Sequence, residues 1–174
     1  VINPEWLTKM VDYAIVDGVG VVGAKLLYSD STLQHAGVFI GYGGIDHTYK
    51  KYPRDYAGYM NRLTIPHNVS AVTGACLLIK KSIFDEVECF DEEYPIAFGD
   101  IDLCMKVREK GYRIVFTPLA ELYHHESKSR GYEDSPEKVK RLQMEISRFV
   151  NKWGDFNKMT DAYYTNKYTL KGVF

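Results

Sequence analysis

The pattern of apolar and polar positions divides the chain into alternating helical and strand-like stretches. Trp6, Leu7, Met10, Val11 and Ala14 recur at helical spacing and predict a short amphipathic helix. In front of them, Asn3-Pro4-Glu5 supplies an N-cap residue, a proline at the first helical position and an acid near the positive dipole end. Residues 19–28 (VGVVGAKLLY) are apolar almost without interruption, which predicts a strand covered on both faces. A turn at residues 29–32 follows, and residues 33–41 return as a second strand. Residues 42–66 show no period, and a loop of that length inside a compact domain is functional or mobile.

Strand character resumes over residues 68–80, where Gly74 predicts a bulge or a close approach by a ligand. A short helix is expected at residues 82–87. A second, at residues 100–110, sets Ile101, Cys104 and Val107 on one face and ends at Gly111 as a C′ glycine. Short strands at residues 113–116 and 121–124 flank a Thr117-Pro118 break. Ser135-Pro136-Glu137 starts the last helix, along which Val139, Leu142, Ile146, Phe149, Val150 and Trp153 keep helical spacing. Residues 154–174 are aromatic-rich and match no template. This order of elements predicts an α/β or α+β domain with a mixed sheet flanked by helices.

Composition narrows the function classes. A net charge of −1 over 174 residues provides no basic field for nucleic acid or an anionic membrane. No apolar run is long enough for a transmembrane segment. Cys76, Cys89 and Cys104 are odd in number and lack CxxC spacing, so reduced thiols in a cytoplasmic protein are expected rather than disulfides or a zinc site. No glycine-rich GxGxxG or GxxxxGK turn occurs, so a nucleotide would have to be held by other means.

Two segments concentrate the chemistry. Residues 98–104 read FGDIDLC, with Asp100 and Asp102 at the entry of a predicted helix. Two positions are about 200° apart around a helix, so the two carboxylates do not share a face. One reading is structural: Asp100 caps backbone N–H groups and Asp102 complements the dipole. The other makes one of them a general base for a hydroxyl nucleophile, a role worth about 3–5 kcal/mol of barrier. A divalent cation is poorly held by two carboxylates alone. The second segment is residues 122–131, LYHHESKSRG. His124 and His125 end a predicted strand and point to opposite faces, so at most one looks into a given cleft. An imidazole can ligate Mg²⁺ or, more readily, Mn²⁺. Lys128, Ser129 and Arg130 suit phosphate oxygens of a donor, although a charged run is also what a solvated loop looks like. In the aperiodic region, Tyr49, Lys50, Lys51, Tyr52, Arg54, Tyr56, Tyr59 and Arg62 interleave rings with positive charge. That composition fits a carbohydrate contact as well as a loop packed by its own rings.

Taken together, the stretches VGAKLLYSDSTLQHAGVFIG, VTGACLLIKKSIFDEVECFDEEY, FGDIDLCMKVREKGYRIVFTPLAELYHHESKSRG and, more loosely, DAYYTNKYTL resemble the inverting family 2 glycosyltransferases of GT-A fold. The likeness is nearest to bacterial rhamnosyltransferase-like enzymes of surface polysaccharide assembly. The resemblance implies transfer of a sugar from a nucleotide-sugar donor to a saccharide hydroxyl, at a cytoplasmic location that includes the inner face of the membrane. Asp100 matches the family's catalytic base, Gly99 replaces the acid before it, and Asp102 matches a second, supporting acid. His124 matches the metal-site histidine, with His125 as fallback, for a divalent Mg or Mn. Thr73, Gly74 and Ala75 match the acceptor side of the cleft. Glu88-Cys89 stands where the family usually carries two glycines. The opening VINPEWL looks like residues that follow the family's donor-side DxD. Residues 1–174 are therefore expected to be a single domain: the acceptor-side, C-terminal half of a partial GT-A-like fold, lacking the N-terminal nucleotide-binding half. Such a chain is expected to be inactive alone and to self-associate through surfaces that the other half would cover.

Two rival readings remain. A non-catalytic carbohydrate-binding or scaffold module would use the tyrosine-rich region. A metal-dependent hydrolase would need Asp100, Asp102 and His124 to converge.

Overall fold

The computed structural model describes residues 1–125 and 135–164. Helix α1 (Trp6–Ala14) leads into strand β1 (Val19–Leu27), every residue of which is buried. Strands β2 (Leu33–His35), β3 (Val38–Gly41), β4 (Gly44–His47), β5 (His67–Asn68) and β6 (Leu77–Ile79) follow. Helices α2 (Lys81–Glu86) and α3 (Gly99–Glu109), strand β7 (Arg113–Tyr123) and helix α4 (Pro136–Trp153) complete the described elements.

β1 is the spine of a five-stranded mixed sheet of order β2-β1-β7-β5, with β6 also on β1. It runs parallel to β7 and antiparallel to β2 and β6. Both sheet faces are covered, as the unbroken apolar run predicts. One face packs Met10 and Ala14 of α1 against Val22, Ala24, Leu26 and Val115. The other packs Val21, Ile114 and Phe116 with Ile101 and Val107 of α3 and Phe149 of α4. Gly23 lets residue 72 press onto the spine, since a Cβ there would lie 2.4 Å from Val72 Cγ1. The mixed α/β architecture matches the expected partial GT-A-like fold. Leu7 and Val11 on α1 and Ile15 at its C-cap stay exposed.

Five local expectations are corrected. Residues 68–80 are not one strand, since a 3₁₀ turn at Gly74–Cys76 separates β5 from β6. The first helix starts at Trp6, because Asn3 Oδ1 accepts the Glu5 N–H at 2.9 Å and Asn3 Nδ2 donates to Leu119 O, tying the preceding turn to β7. The second strand is broken at Gly37 into β2 and β3. Residues 42–66 are not wholly irregular: β3 and β4 form a hairpin whose turn residues, Tyr42 and Gly43, both have positive φ (52° and 95°). Positive φ at both centres is the signature of the tight turn that matches strand twist. The two strands expected around Thr117-Pro118 are one, β7, which keeps pairing with β1 through a register shift between Thr117 and Glu121. Pro118 sits in that irregularity, where a missing N–H costs no ladder bond. The start of α4 is as expected: Ser135 Oγ accepts the Lys138 N–H at 3.3 Å with Pro136 behind it.

Candidate active site

Asp100 lies in the first turn of α3 and is not its cap. The N-cap is Phe98, held in the left-handed region (φ 64°, ψ −8°). Freed from capping, the Asp100 carboxylate turns to a segment 26 residues earlier: its Oδ2 accepts the Gly74 N–H at 2.8 Å, while Oδ1 accepts from the N–H of Ile101 at 2.9 Å. Gly74 opens a 3₁₀ turn, Gly74–Cys76, which Thr73 caps by accepting the Ala75 N–H on Oγ1 at 3.3 Å. The fold thus brings the predicted base and the predicted acceptor-side residues Thr73, Gly74 and Ala75 into one cluster. Asp100 is half-buried, unlike the sealed Asp102 two residues on. An ionised carboxylate offers about four lone-pair sites, and two hydrogen bonds leave room for an incoming hydroxyl.

Asp102 is a different kind of residue. It is 0% exposed. Its Oδ1 accepts the Trp153 indole N–H at 2.8 Å and lies 2.7 Å from Lys152 Nζ, both at the end of α4. Lys106 Nζ is 3.6 Å from its Oδ2. The supporting acid is therefore a buried anchor of α4 on α3, stronger than the dipole complement that spacing alone suggests. Asp100 and Asp102 face opposite ways, as their spacing requires.

His124 is half-buried, and its Nδ1 lies 2.9 Å from Gln34 Oε1. A carbonyl oxygen only accepts, so Nδ1 donates to it, and Nε2 is the nitrogen left for any ligating role. His125 is exposed, with Nδ1 2.7 Å from Ser29 Oγ. Among the described residues no group of three His, Cys, Asp or Glu side chains could hold a metal ion. His124 offers one oriented ligand, which by itself does not make a metal site among the described residues. The same finding removes support from a hydrolase built on Asp100, Asp102 and His124. Lys128, Ser129 and Arg130 lie outside the described residues.

Behind His124 is a buried imidazole that periodicity did not reveal. His35 is 0% exposed, accepts the Gly37 N–H on Nε2 at 3.3 Å, and so presents Nδ1–H to His47 Nδ1 at 3.0 Å. Burial above all, then the neighbouring His47 and His124, hold His35 well below the usual histidine range. It is a neutral hydrogen-bonding element of the sheet edge. The thiols are all free; Cys104 is buried and its thiol is pushed up to about 12, whereas Cys76 and Cys89 are half-buried.

The tyrosine-rich region is packed largely by its own rings: Tyr52 stacks on Tyr56 at 5.0 Å, and Tyr49 meets both edge-on. Arg54 grips Glu121 with two nitrogens, and Lys25, 8% exposed, donates to Arg54 O at 2.7 Å. These contacts bind the region to β1 and β7. A cavity between Tyr49, Arg62, Ser70 and Tyr164 takes two residues from the tyrosine-rich region, Tyr49 and Arg62, but neither Asp100 nor the Thr73–Ala75 turn.

Comparison with known proteins identifies the family. The model of "Glycosyltransferase like family 2" matches residues 1–143. An uncharacterized protein of Sinorhizobium fredii is 52% identical over 168 residues, covering 95% of this chain and 18% of that protein. An O-antigen biosynthesis protein of Myxococcus xanthus is 34% identical over 139 residues, 79% of this chain and 11% of its own length. An N-acetylglucosaminyl-diphospho-decaprenol L-rhamnosyltransferase of Mycobacterium tuberculosis is 38% identical over 63 residues, 36% of this chain and 20% of that enzyme. The chain thus spans a fifth or less of these curated relatives. With the family model matching residues 1–143 of 174, the chain belongs to glycosyltransferase family 2.

Proposed function

We propose that this chain supplies the acceptor side and the general base of a glycosyltransferase that moves a sugar from a nucleotide-sugar donor to a saccharide hydroxyl with inversion. The observation that carries the reading is the half-exposed Asp100 carboxylate, hydrogen-bonded to the Gly74 N–H and still able to accept from a substrate. The acceptor O–H gives its proton to Asp100. Its oxygen then attacks the anomeric carbon from the face opposite the leaving group, and the bond to the nucleoside diphosphate breaks with its electron pair on phosphate. One in-line displacement inverts the anomeric centre. The Gly74 N–H, donated from a capped turn, fixes the carboxylate without consuming both oxygens. Such preorganisation is what lets a base act without moving first.

The greater part of the donor-nucleotide site is assigned to residues outside this sequence, with Lys128, Ser129 and Arg130 as this chain's candidates for its phosphates. The chain has no glycine-rich phosphate turn, and its relatives run much longer. The names of the Myxococcus and Mycobacterium relatives favour surface polysaccharide assembly, with a deoxyhexose such as rhamnose as the sugar. Micromolar binding of a nucleoside diphosphate by this chain alone, measured by calorimetry, overturns that assignment.

Asp100→Asn tests the base. In the protein expressed from its complete reading frame, turnover is expected to fall by roughly 10²–10⁴-fold, the usual contribution of a positioned proton acceptor. Acceptor affinity should stay within about threefold, since the side chain keeps its shape and one oxygen. Turnover within tenfold of the parent protein would falsify the reading and favour a carbohydrate-binding module.

A further inference from the structure

The loop that delivers Asp100 is gripped from outside by one face of α4, and the geometry points to Glu145 as the positioning residue that sets where the Asp100 carboxylate lies. The inference rests on Asp100 being the base. Glu145 is 3% exposed, and a glutamate is almost never that deep unless it is partnered. Its Oε2 accepts the Ala97 N–H at 2.6 Å, a short, charge-assisted bond made three residues before Asp100. The other oxygen, Oε1, faces Arg141 Nε at 3.6 Å, one turn earlier on the helix.

The next residue, Phe98, is where the backbone needs holding. Bulky side chains at positive φ persist only where their surroundings over-determine them. Here Glu145 fixes the peptide on one side, and Phe149, one turn further along α4, lays its ring 5.2 Å from that of Phe98. Phe98 O then accepts the Asp102 N–H at 2.7 Å, starting α3. Arg148 to Glu93 at 2.7 Å and Trp153 to Asp102 at 2.8 Å extend the same grip to either end of the segment. Glu145, Arg148, Phe149 and Trp153 fall at helical spacing on one face. α4 makes these contacts around Asp100, whose carboxylate, among the described residues, bonds to Gly74 and Ile101. The direction of the carboxylate is therefore inherited from the peptide that Glu145 holds. Proton transfer demands a donor–acceptor distance within a few tenths of an ångström, and a base displaced by 1 Å can lose roughly 10²-fold in rate.

Amide hydrogen exchange on this chain, read by NMR, tests the inference without any need for turnover. Glu145→Ala should speed exchange at Ala97, which loses its acceptor. It should also speed exchange at Gly74 by about tenfold or more, because the Asp100 carboxylate that protects that amide is no longer aimed at it. Glu145→Gln, which keeps an oxygen for Ala97, should return Gly74 to within about threefold of the parent. Release of Ala97 with Gly74 unchanged overturns the proposal and leaves Glu145 a local fastening. If the alanine variant melts below the working temperature, Glu145→Met, which fills the same space without an acceptor oxygen for Ala97, is read at the same two amides with the same criterion. In the complete reading frame, Glu145→Ala should lower kcat per folded molecule roughly 10–100-fold with acceptor KM unchanged, and Glu145→Gln should recover most of it. The two readings fail separately. Normal turnover by Asp100→Asn removes the base, whereas a dead Asp100→Asn beside a fully active Glu145→Ala removes only the role of Glu145.

Discussion

Replacing Asp102 with alanine separates a buried anchor from a mere complement to the helix dipole. A carboxylate that only faces the positive end of α3 would be worth about 0.3–1 kcal/mol. The structure predicts more. Asp102 Oδ1 accepts the Trp153 indole N–H at 2.8 Å and Lys152 Nζ sits 2.7 Å away, with the carboxylate 0% exposed. A hydrogen bond to a charged group contributes about 1.5–3 kcal/mol, and breaking a buried pair by removing one partner costs about 3–5 kcal/mol. Both lysines have somewhere else to go: Lys152 reaches Asp91 Oδ2 at 3.3 Å, and Lys106 donates to Cys89 O at 2.6 Å. Lys152 is also 35% exposed, so water screens part of its attraction. The lower end therefore applies, about 3 kcal/mol for Asp102→Ala and about 1–2 kcal/mol for Asp102→Asn, which keeps an oxygen for Trp153. Urea unfolding followed by tryptophan fluorescence measures both, with Asp100→Ala as the comparison, expected to cost under about 1 kcal/mol at its half-exposed position. An Asp102→Ala loss below about 1 kcal/mol, together with collapsed turnover, would refute the assignment and make Asp102 a chemical participant.

Two further outcomes follow from burial. His35 is neutral in the fold and held well below its usual range, so the unfolded chain takes up the proton first as pH falls. The stability it contributes is fully present above about pH 6.5 and is lost below it, by at most about 1.4 kcal/mol per pH unit for the one proton. The urea midpoint should therefore fall between pH 7.5 and 5.5 and fall less in His35→Gln; His67, also lowered by burial, leaves some residual slope. A midpoint independent of pH in the parent chain would contradict the neutral assignment. Gly23→Ala puts a Cβ 2.4 Å from Val72 Cγ1 in the spine of the sheet, an overpacking expected to cost about 1–3 kcal/mol. Adding Val72→Ala should recover part of that loss, and a double variant less stable than the sum of the single changes would refute the contact.

The elements that local rules place well are those whose cause is local. An unbroken apolar run made β1 a doubly covered strand, Gly111 closed α3 at positive φ, and Ser135-Pro136 opened α4. Failures begin where a distant group outbids the local one. By its neighbours Asp100 should cap α3, yet its oxygen is taken by the N–H of Gly74, 26 residues back. In FGDIDLC the two aspartates look interchangeable. Only α4, whose Trp153 lies 51 residues beyond Asp102, decides that one is sealed while the other stays open. Glu145 was hidden for the same reason, since in sequence it is one charge beside an apolar stripe and its partner is a backbone amide that no pattern of side chains can announce. Resemblance found Asp100 and the Thr73–Ala75 turn separately and could not say that they touch. Their contact divides the labour in this chain. In the proposed reading the early turn and the helix start carry the chemistry, and the last described helix holds the geometry. Substitutions on the buried face of α4 should therefore act on rate through the backbone of residues 97–100 while leaving acceptor affinity in place, the pattern expected when a scaffold element rather than a binding contact is disturbed.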